Sequence, residues 1–433
     1  MISDLKFQIS DWRSRLLLRL CLLSSACRAE AWRRRVLLQS AVALCVGGCL
    51  LLFTGCTSIG NRPPARTLVE EKSTVVPARL ISNFFLVEAR QDDGRTYRFL
   101  VDTGSSTSLV SPALAQALRQ RERKAPRRTV HVRSANGGEV ELEAVTLRRL
   151  RLGDAAFERV PALVSDFSDL SGHLGLRIDG VVGFPVFRDT LLTMDYPGAR
   201  LVIAPYPAVP PLVLKQSPRA STIAFNNERN SPLIPIQLGI ESFIVLIDSG
   251  SDGSLALNPV GLHPRFANGP RPGTLVASLA GDRRQLVGRL AQDVLLGSHT
   301  LATPIADLTE ELSSLGGEIL RHFAVTFDQR RNQVTFTRDA AGPVVLAPRR
   351  STGLSFARTP AYWRVLALVP DTPAAGLAIQ PGDLVVRING EPVDQWDFER
   401  YAALLRTAAK LTCTVLAGAK ERAVEVPVFE LVP

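Results

Sequence analysis

The chain reads as an all-β protein: two similarly built lobes that share one cleft, followed by a smaller β domain with flanking helices. Three observations predict this. An apolar strand runs into a carboxylate and a tight turn at Phe99-Leu100-Val101-Asp102-Thr103-Gly104-Ser105-Ser106, and the arrangement returns at Phe243-Ile244-Val245-Leu246-Ile247-Asp248-Ser249-Gly250-Ser251. Around both, apolar and polar residues alternate in short runs bounded by turn residues, the period-two pattern of half-buried strands. Beyond residue 346, turn signals at Pro381-Gly382-Asp383 and Asn389-Gly390 punctuate a third β-rich stretch.

At 433 residues the chain exceeds one ordinary domain, and 46% hydrophobic against 21% charged residues is a globular composition. The formal charge of +10 is unevenly placed. Residues 1–56 hold eight basic side chains against three acidic ones, half of the excess, so the remainder is only mildly basic and no nucleic-acid partner follows.

That leader has its own logic. Arg33-Arg34-Arg35 precedes an apolar run over residues 36–55, the layout of a basic segment followed by the hydrophobic core of an export signal. The run ends in Leu52-Phe53-Thr54-Gly55-Cys56, which resembles a bacterial lipobox with Phe53 in place of the preferred Leu. The resemblance implies lipidation at Cys56, and Thr57 after it implies an outer-membrane lipoprotein of the bacterial cell envelope facing the periplasm. The alternative is an inner-membrane anchor, because residues 36–55 are also long enough to span a bilayer. Either way the chain is expected to be membrane-tethered. Five of the six cysteines lie in this leader, leaving Cys413 alone, so no internal disulfide is expected in the body.

Residues 57–77 lack apolar periodicity and read as a linker. A first lobe is expected over 78–207. Its strands 84–87 and 97–101 flank the turn Asp92-Asp93-Gly94 and deliver Asp102. Ser111-Pro112 then caps a short helix to Leu118. Strands over 129–135 and 139–147 surround Asn136-Gly137-Gly138, a strong hairpin signal. Strands 191–194 and 199–203 are expected to close this lobe.

A second lobe is expected over 208–342, and it repeats the order. Strands 233–238 and 243–247 lead to Asp248, and a hairpin tip falls around Ala280-Gly281-Asp282. Gly183 precedes Asp195 by 12 residues, and Gly316 precedes Asp328 by 12. The repeat therefore extends well beyond one tripeptide, with Ser314 standing where the first copy has Val181.

Apolar-apolar-Asp-Thr/Ser-Gly, twice in one chain, resembles the active-site motif of the aspartic peptidases in their retropepsin and pepsin forms. The resemblance implies two acid-protease-like β-barrel lobes and a catalytic pair, Asp102 and Asp248. It assigns Thr103 and Ser249 to tie the turns together, Gly104 and Gly250 to give backbone freedom, and Ser105 and Ser251 to bond the carboxylates through their hydroxyls. It makes the hairpins at Asn136, Gly137, Gly138 and at Ala280, Gly281 flaps over the substrate. No tyrosine lies between Tyr97 and Tyr196, so the first flap resembles the retropepsin branch. Asp179 to Phe187 and Leu315 to Leu320 resemble the apolar-apolar-Gly elements that cross behind the aspartates.

Residues 347–433 resemble a PDZ domain. Gly353-Leu354-Ser355-Phe356 matches its carboxylate-binding loop, the run from Val369 to Gly390 its core, and residues 395–408 its groove helix. That implies recognition of peptide C-termini by addition of a strand to a sheet edge.

Two close carboxylates in a dry cleft share one proton, which makes a single site acid and base at once. The expected function is a membrane-tethered, exported aspartic endopeptidase acting on protein or peptide substrates through an activated water, without metal or cofactor. With both half-sites on one chain, no oligomer is needed. The rival is a catalytically silent scaffold of the same shape that presents a PDZ domain. The five histidines show no H-E-x-x-H spacing, and there is no G-x-S-x-G elbow or phosphate-binding Gly-Lys loop.

Overall fold

The computed structural model describes residues 62–119, 128–133, 139–207, 216–276, 283–359, 361–417 and 420–433, all within the compact unit Ser58–Pro433. The leader with Cys56, and both expected flap tips (Asn136, Gly137 and Gly138; Ala280 and Gly281), lie outside the described residues. Among the described residues no helix is long and apolar enough to cross a membrane. Strands outweigh helices, 53% to 12%, so the all-β class holds.

In the first half, strand Phe84–Arg90 pairs antiparallel with Thr96–Asp102. The turn between them is the expected one: Asp93 Oδ1 accepts from Arg95 N at 2.8 Å, and Gly94 takes a φ of 78°. Thr96–Asp102 then pairs in parallel with Gly180–Gly183, placing Val101 opposite Val182 and Asp102 opposite Gly183. Its two faces pack into different apolar clusters, Phe99 and Val101 into one and Leu100 into the other, which is why all three are apolar and buried. Helix Pro112–Arg119 starts where expected, with Ser111 Oγ accepting from Leu114 N at 3.2 Å. It buries Leu114 and Ala115 in the core. Leu114 contributes about 1.5–3 kcal/mol on full burial.

The second half repeats this plan. Strand Leu233–Leu238 pairs with Glu241–Ile247, and Glu241–Ile247 runs parallel to Ser314–Leu315, with Leu246 opposite Ser314 and Ile247 opposite Leu315. Ser314 thus stands where Val181 stands in the first half, a buried serine in a valine's place.

The expectation that strands 191–194 and 199–203 close the first lobe is corrected. Thr190–Asp195 pairs antiparallel with Ala324–Asp328 from the second half, Leu191 opposite Asp328 and Asp195 opposite Ala324. One sheet therefore runs through strands Ala220–Ala224, Gln333–Thr337, Ala324–Asp328, Thr190–Asp195, Arg200–Pro205 and Thr74–Ile81, built by both halves. The register is symmetric about Thr193 and Thr326, equivalent residues that face each other with hydroxyls 2.8 Å apart. Alternation in a sequence tells which face of a strand is buried but not which strand lies beside it, so this pairing was not legible.

The linker expected over 57–77 is also corrected. Strand Arg66–Leu68 pairs with Ala155–Val164, Thr67 opposite Phe157, and Thr74–Ile81 already belongs to the shared sheet. Three residues are too few to show periodicity, so such an edge strand reads as spacer.

The C-terminal module holds a sheet in the order Leu354–Arg358, Trp363–Leu368, Leu384–Ile388, Lys410–Ala417, Lys420–Pro427. Its helix is Phe398–Thr407, shorter than the expected 395–408 because Asp397 caps it by accepting from Arg400 N at 2.7 Å. Trp363 is fully buried and meets Phe356 and Tyr401 edge-on, at centroid distances of 5.6 and 5.4 Å. Cys413 is a free, buried thiol whose pKa burial pushes up to about 12.

Candidate active site

The two Asp-Thr/Ser-Gly turns meet at the junction of the two halves, and a reciprocal set of hydrogen bonds locks them. Thr103 N donates to Ser249 Oγ at 2.9 Å, and Ser249 N donates to Thr103 Oγ1 at 3.1 Å. Each hydroxyl then passes its own proton across: Thr103 Oγ1 donates to Ile247 O at 2.6 Å and Ser249 Oγ to Val101 O at 2.8 Å. Both residues are buried. Each hydroxyl has one donor and one acceptor partner, so nothing polar is left unsatisfied by this crossing. A Thr or Ser is what the geometry requires, since only a hydroxyl on a short stem accepts and donates at once.

This lock places the carboxylates face to face. A Cβ added to Gly104 would lie 2.5 Å from Asp248 Oδ1, and one added to Gly250 would lie 2.5 Å from Asp102 Oδ2. Each glycine is thus the gap through which the opposite carboxylate reaches the shared cleft. Backbone N–H groups hold the acids in place: Asp102 Oδ1 accepts from Gly104 N at 2.8 Å and Ser105 N at 3.1 Å, and Asp248 Oδ1 accepts from Gly250 N at 3.0 Å.

The two acids are not electrostatically equal. Burial pushes both above the usual carboxylate range; at Asp248 repulsion from Asp102 adds to it, and its pKa reaches about 8. Asp102 is raised less freely, because the N–H bonds from Gly104 and Ser105 favour its ionised form. The two carboxylates thus titrate as one unit that holds a shared proton, with the N–H bonds at Asp102 favouring the charge there. Both side chains remain half-buried rather than sealed, open to a reactant while packed protein removes most of the solvent.

The expected roles of Ser105 and Ser251 need correction. Ser105 Oγ donates to Thr107 O at 2.6 Å, and it is the backbone N–H of Ser105 that serves Asp102. Ser251 Oγ accepts from Gly253 N at 3.3 Å. Each hydroxyl braces its own loop, and the short Asx-like turn brings the backbone to the carboxylate first.

Three further residues shape the site and were not legible in the sequence. Asn83, at the tip of a first-half hairpin with φ 69°, donates from Nδ2 to Asp252 O at 2.8 Å. Ser231 makes the mirrored reach, donating to Gly104 O at 3.3 Å. Each half therefore steadies the other's turn from a hairpin far away in sequence. Tyr196 is buried and edge-on to Phe85 at 5.0 Å. Burial, then the nearby charges of Asp248 and Asp102, push its phenol well above the usual range, so it stays neutral. An Asn at positive φ is a weak turn signal for Asn83; Ser231 and Tyr196 carry none.

In the C-terminal module Gly353 takes a φ of 77°. Its N–H donates to Ser351 Oγ at 2.8 Å, and that of Leu354 to Thr352 Oγ1 at 3.3 Å. Leu354, Ser355 and Phe356 begin the edge strand of the sheet beside helix Phe398–Thr407, the placement a strand-addition groove requires.

Residues 87–186 match the family model described as aspartyl protease, and residues 364–416 match that of the PDZ domain. The first match spans Asp102 and its crossing element through Gly183; the second spans the central strands of the C-terminal sheet. No match was found among curated proteins. The chain thus carries an aspartyl-protease domain and a PDZ domain.

Proposed function

We propose that the chain is an aspartic endopeptidase whose dyad, Asp102 and Asp248, is completed within one polypeptide. The observation that carries this reading is the reciprocal Thr103–Ser249 lock, which holds two carboxylates against each other across one cleft. In this mechanism a water sits between the acids. Asp102 takes a proton from it as the oxygen attacks the scissile carbonyl, and Asp248 gives its proton to the carbonyl oxygen. The tetrahedral species then collapses: Asp102 passes its proton to the departing amine, and a hydroxyl proton returns to Asp248. The dyad ends as it began, with one proton. The PDZ domain binds peptide segments.

Residues 1–56 we assign as an export and tethering segment on the leader pattern; metabolic palmitate labelling that is lost in Cys56→Ala is the expected result, and unchanged labelling would return the anchor to residues 36–55.

The test of the peptidase reading is cleavage of a mixed peptide library in water enriched in oxygen-18. One heavy oxygen in each new carboxylate, with no transfer of the acyl group to added hydroxylamine, is expected for direct attack by water. Acyl transfer to hydroxylamine, or no cleavage from acidic to neutral pH, would overturn it.

A further inference from the structure

The PDZ groove is not walled by the PDZ domain alone. Among the described residues strand Leu354–Arg358 has a strand neighbour on one side only, Trp363–Leu368, and its other edge faces the groove. There, helix Ser168–Leu174 from the first half packs against it: a Cβ on Gly172 would lie 3.3 Å from Arg358 O. The His173 ring from that helix lies on Phe398 of the groove helix, centroids 4.9 Å apart. From the second half, strand Phe266–Val276 reaches the carboxylate loop, where Leu275 N donates to Ser355 Oγ at 3.0 Å. The cavity left between them is about 220 Å³, lined by His173, Leu275, Leu354, Phe356, Tyr401 and Leu405 among others. That is small beside the roughly 300–1,000 Å³ of a typical ligand pocket. An apolar terminal side chain fits it; a longer strand laid along Leu354–Arg358 meets His173 and Leu275.

Two residues that line the groove, His173 and Arg349, lead to the Asp248 turn. His173 Nε2 faces Asp252 Oδ2 at 3.9 Å, in the loop that follows Asp248-Ser249-Gly250-Ser251. Arg349 pairs with Glu318 at 2.6 Å. Glu318 N and Gly317 N in turn donate to Gly253 O at 3.0 Å and Ser251 O at 2.7 Å.

We propose that this groove is a composite regulatory site for the free C-terminus of a peptide with an apolar last residue, and that filling it shifts the Asp248 turn through His173. The ligand is recognised by the chemistry of the site: edge N–H groups of strand Leu354–Arg358 for a carboxylate, Leu354 N exchanging its 3.3 Å bond to Thr352 Oγ1 for it, and an apolar cavity for the last side chain. Linkage follows because the peptide favours an arrangement in which His173 has left the groove, and that arrangement alters what Asp252 faces. The consequence for turnover rests on the peptidase reading; the linkage between groove and turn does not.

The experiment uses the full chain in detergent and a fluorescein-labelled hexapeptide ending in leucine, as free carboxylate and as amide. Anisotropy reports affinity, and hydrogen exchange reports residues 249–254. The carboxylate form is expected to bind more tightly than the amide and to change exchange at 249–254. His173→Ala is expected to bind it about 5–150-fold more tightly, the span of ordinary coupling, and to lose the exchange response. Binding to the variant but not to the wild type would equally support a groove held shut by His173. Equal affinity in both chains with unchanged exchange at 249–254, or no binding to either, would overturn the proposal. A chain without peptidase activity that still shows the exchange response would refute the dyad's role and leave this inference standing.

Discussion

Replacing Thr103 by valine removes the hydroxyl of the lock and little else, since the two side chains have nearly the same shape. Two buried groups lose their partners: Ile247 O, now bonded at 2.6 Å, and Ser249 N, now bonded at 3.1 Å. An unsatisfied buried backbone group costs about 1–3 kcal/mol, so the substitution should cost about 2–6 kcal/mol. Against a total stability of about 5–15 kcal/mol this is a large share. At about 2–4 °C per kcal/mol, Tm should fall by roughly 4–24 °C. The melt is best followed by far-UV circular dichroism of the unit Ser58–Pro433, because the tryptophans of that unit, Trp363 and Trp396, report on the PDZ domain. Thr103→Ser should recover most of the loss, because the second half uses Ser249 in the same position. Ser105→Ala, which removes only the half-buried bond to Thr107 O, should cost about 0.5–1.5 kcal/mol. A Thr103→Val protein that melts within 1–2 °C of the wild type, by the scale used here, would refute the reasoning.

Other expectations follow from the same geometry. Gly104→Ala places a methyl 2.5 Å from Asp248 Oδ1, so turnover on a peptide library should fall at least about 100-fold, as a misplaced reacting group does, with the fold retained by circular dichroism. Asp248, with its pKa near 8, holds a proton in the folded chain that the unfolded chain has released above about pH 4. Stability should therefore decline as pH rises from about 4 to 8, and urea titrations of Asp248→Asn should show that slope reduced. Turnover should fall along the same rise through pH 8, when the proton on Asp248 is lost, and on the acid side when Asp102 takes one up. Asn83→Ala deletes the donor to Asp252 O at 2.8 Å and puts alanine at a φ of 69°, so a cost of about 1–3 kcal/mol is expected in denaturant titration, with kcat reduced more than KM is raised.

Much of this protein was legible because the informative residues are ones with narrow physical uses. A carboxylate at the end of a buried apolar strand followed by Thr/Ser-Gly has few structural explanations, and its recurrence placed both halves of the cleft. The 12-residue spacing from Gly183 to Asp195 and from Gly316 to Asp328 marked the repeat, yet nothing in it showed that the two strands lie side by side with Thr193 opposite Thr326. Strand partners depend on long-range register, and a period-two pattern is silent on that. The same limit hid Asn83 and Ser231, whose roles exist only once the halves are assembled. Ser105 and Ser251 failed for a different reason: a hydroxyl has several acceptors within reach in a tight turn, and the loop carbonyl of Thr107 captured that of Ser105. The docking of the PDZ groove against His173 and Leu275 left no mark either, because interdomain contacts use residues that read as ordinary surface.

The central claim is that Asp102 and Asp248 act as one unit within one chain, and the most direct measurement is turnover by Asp102→Asn, Asp248→Asn and the double variant, with monomeric mass verified by sedimentation. Residues that act as a unit are non-additive, so each single variant should lose about as much activity as the double, in a protein that is monomeric and folded. Retained turnover in either single variant, or activity confined to a dimer, would contradict the account.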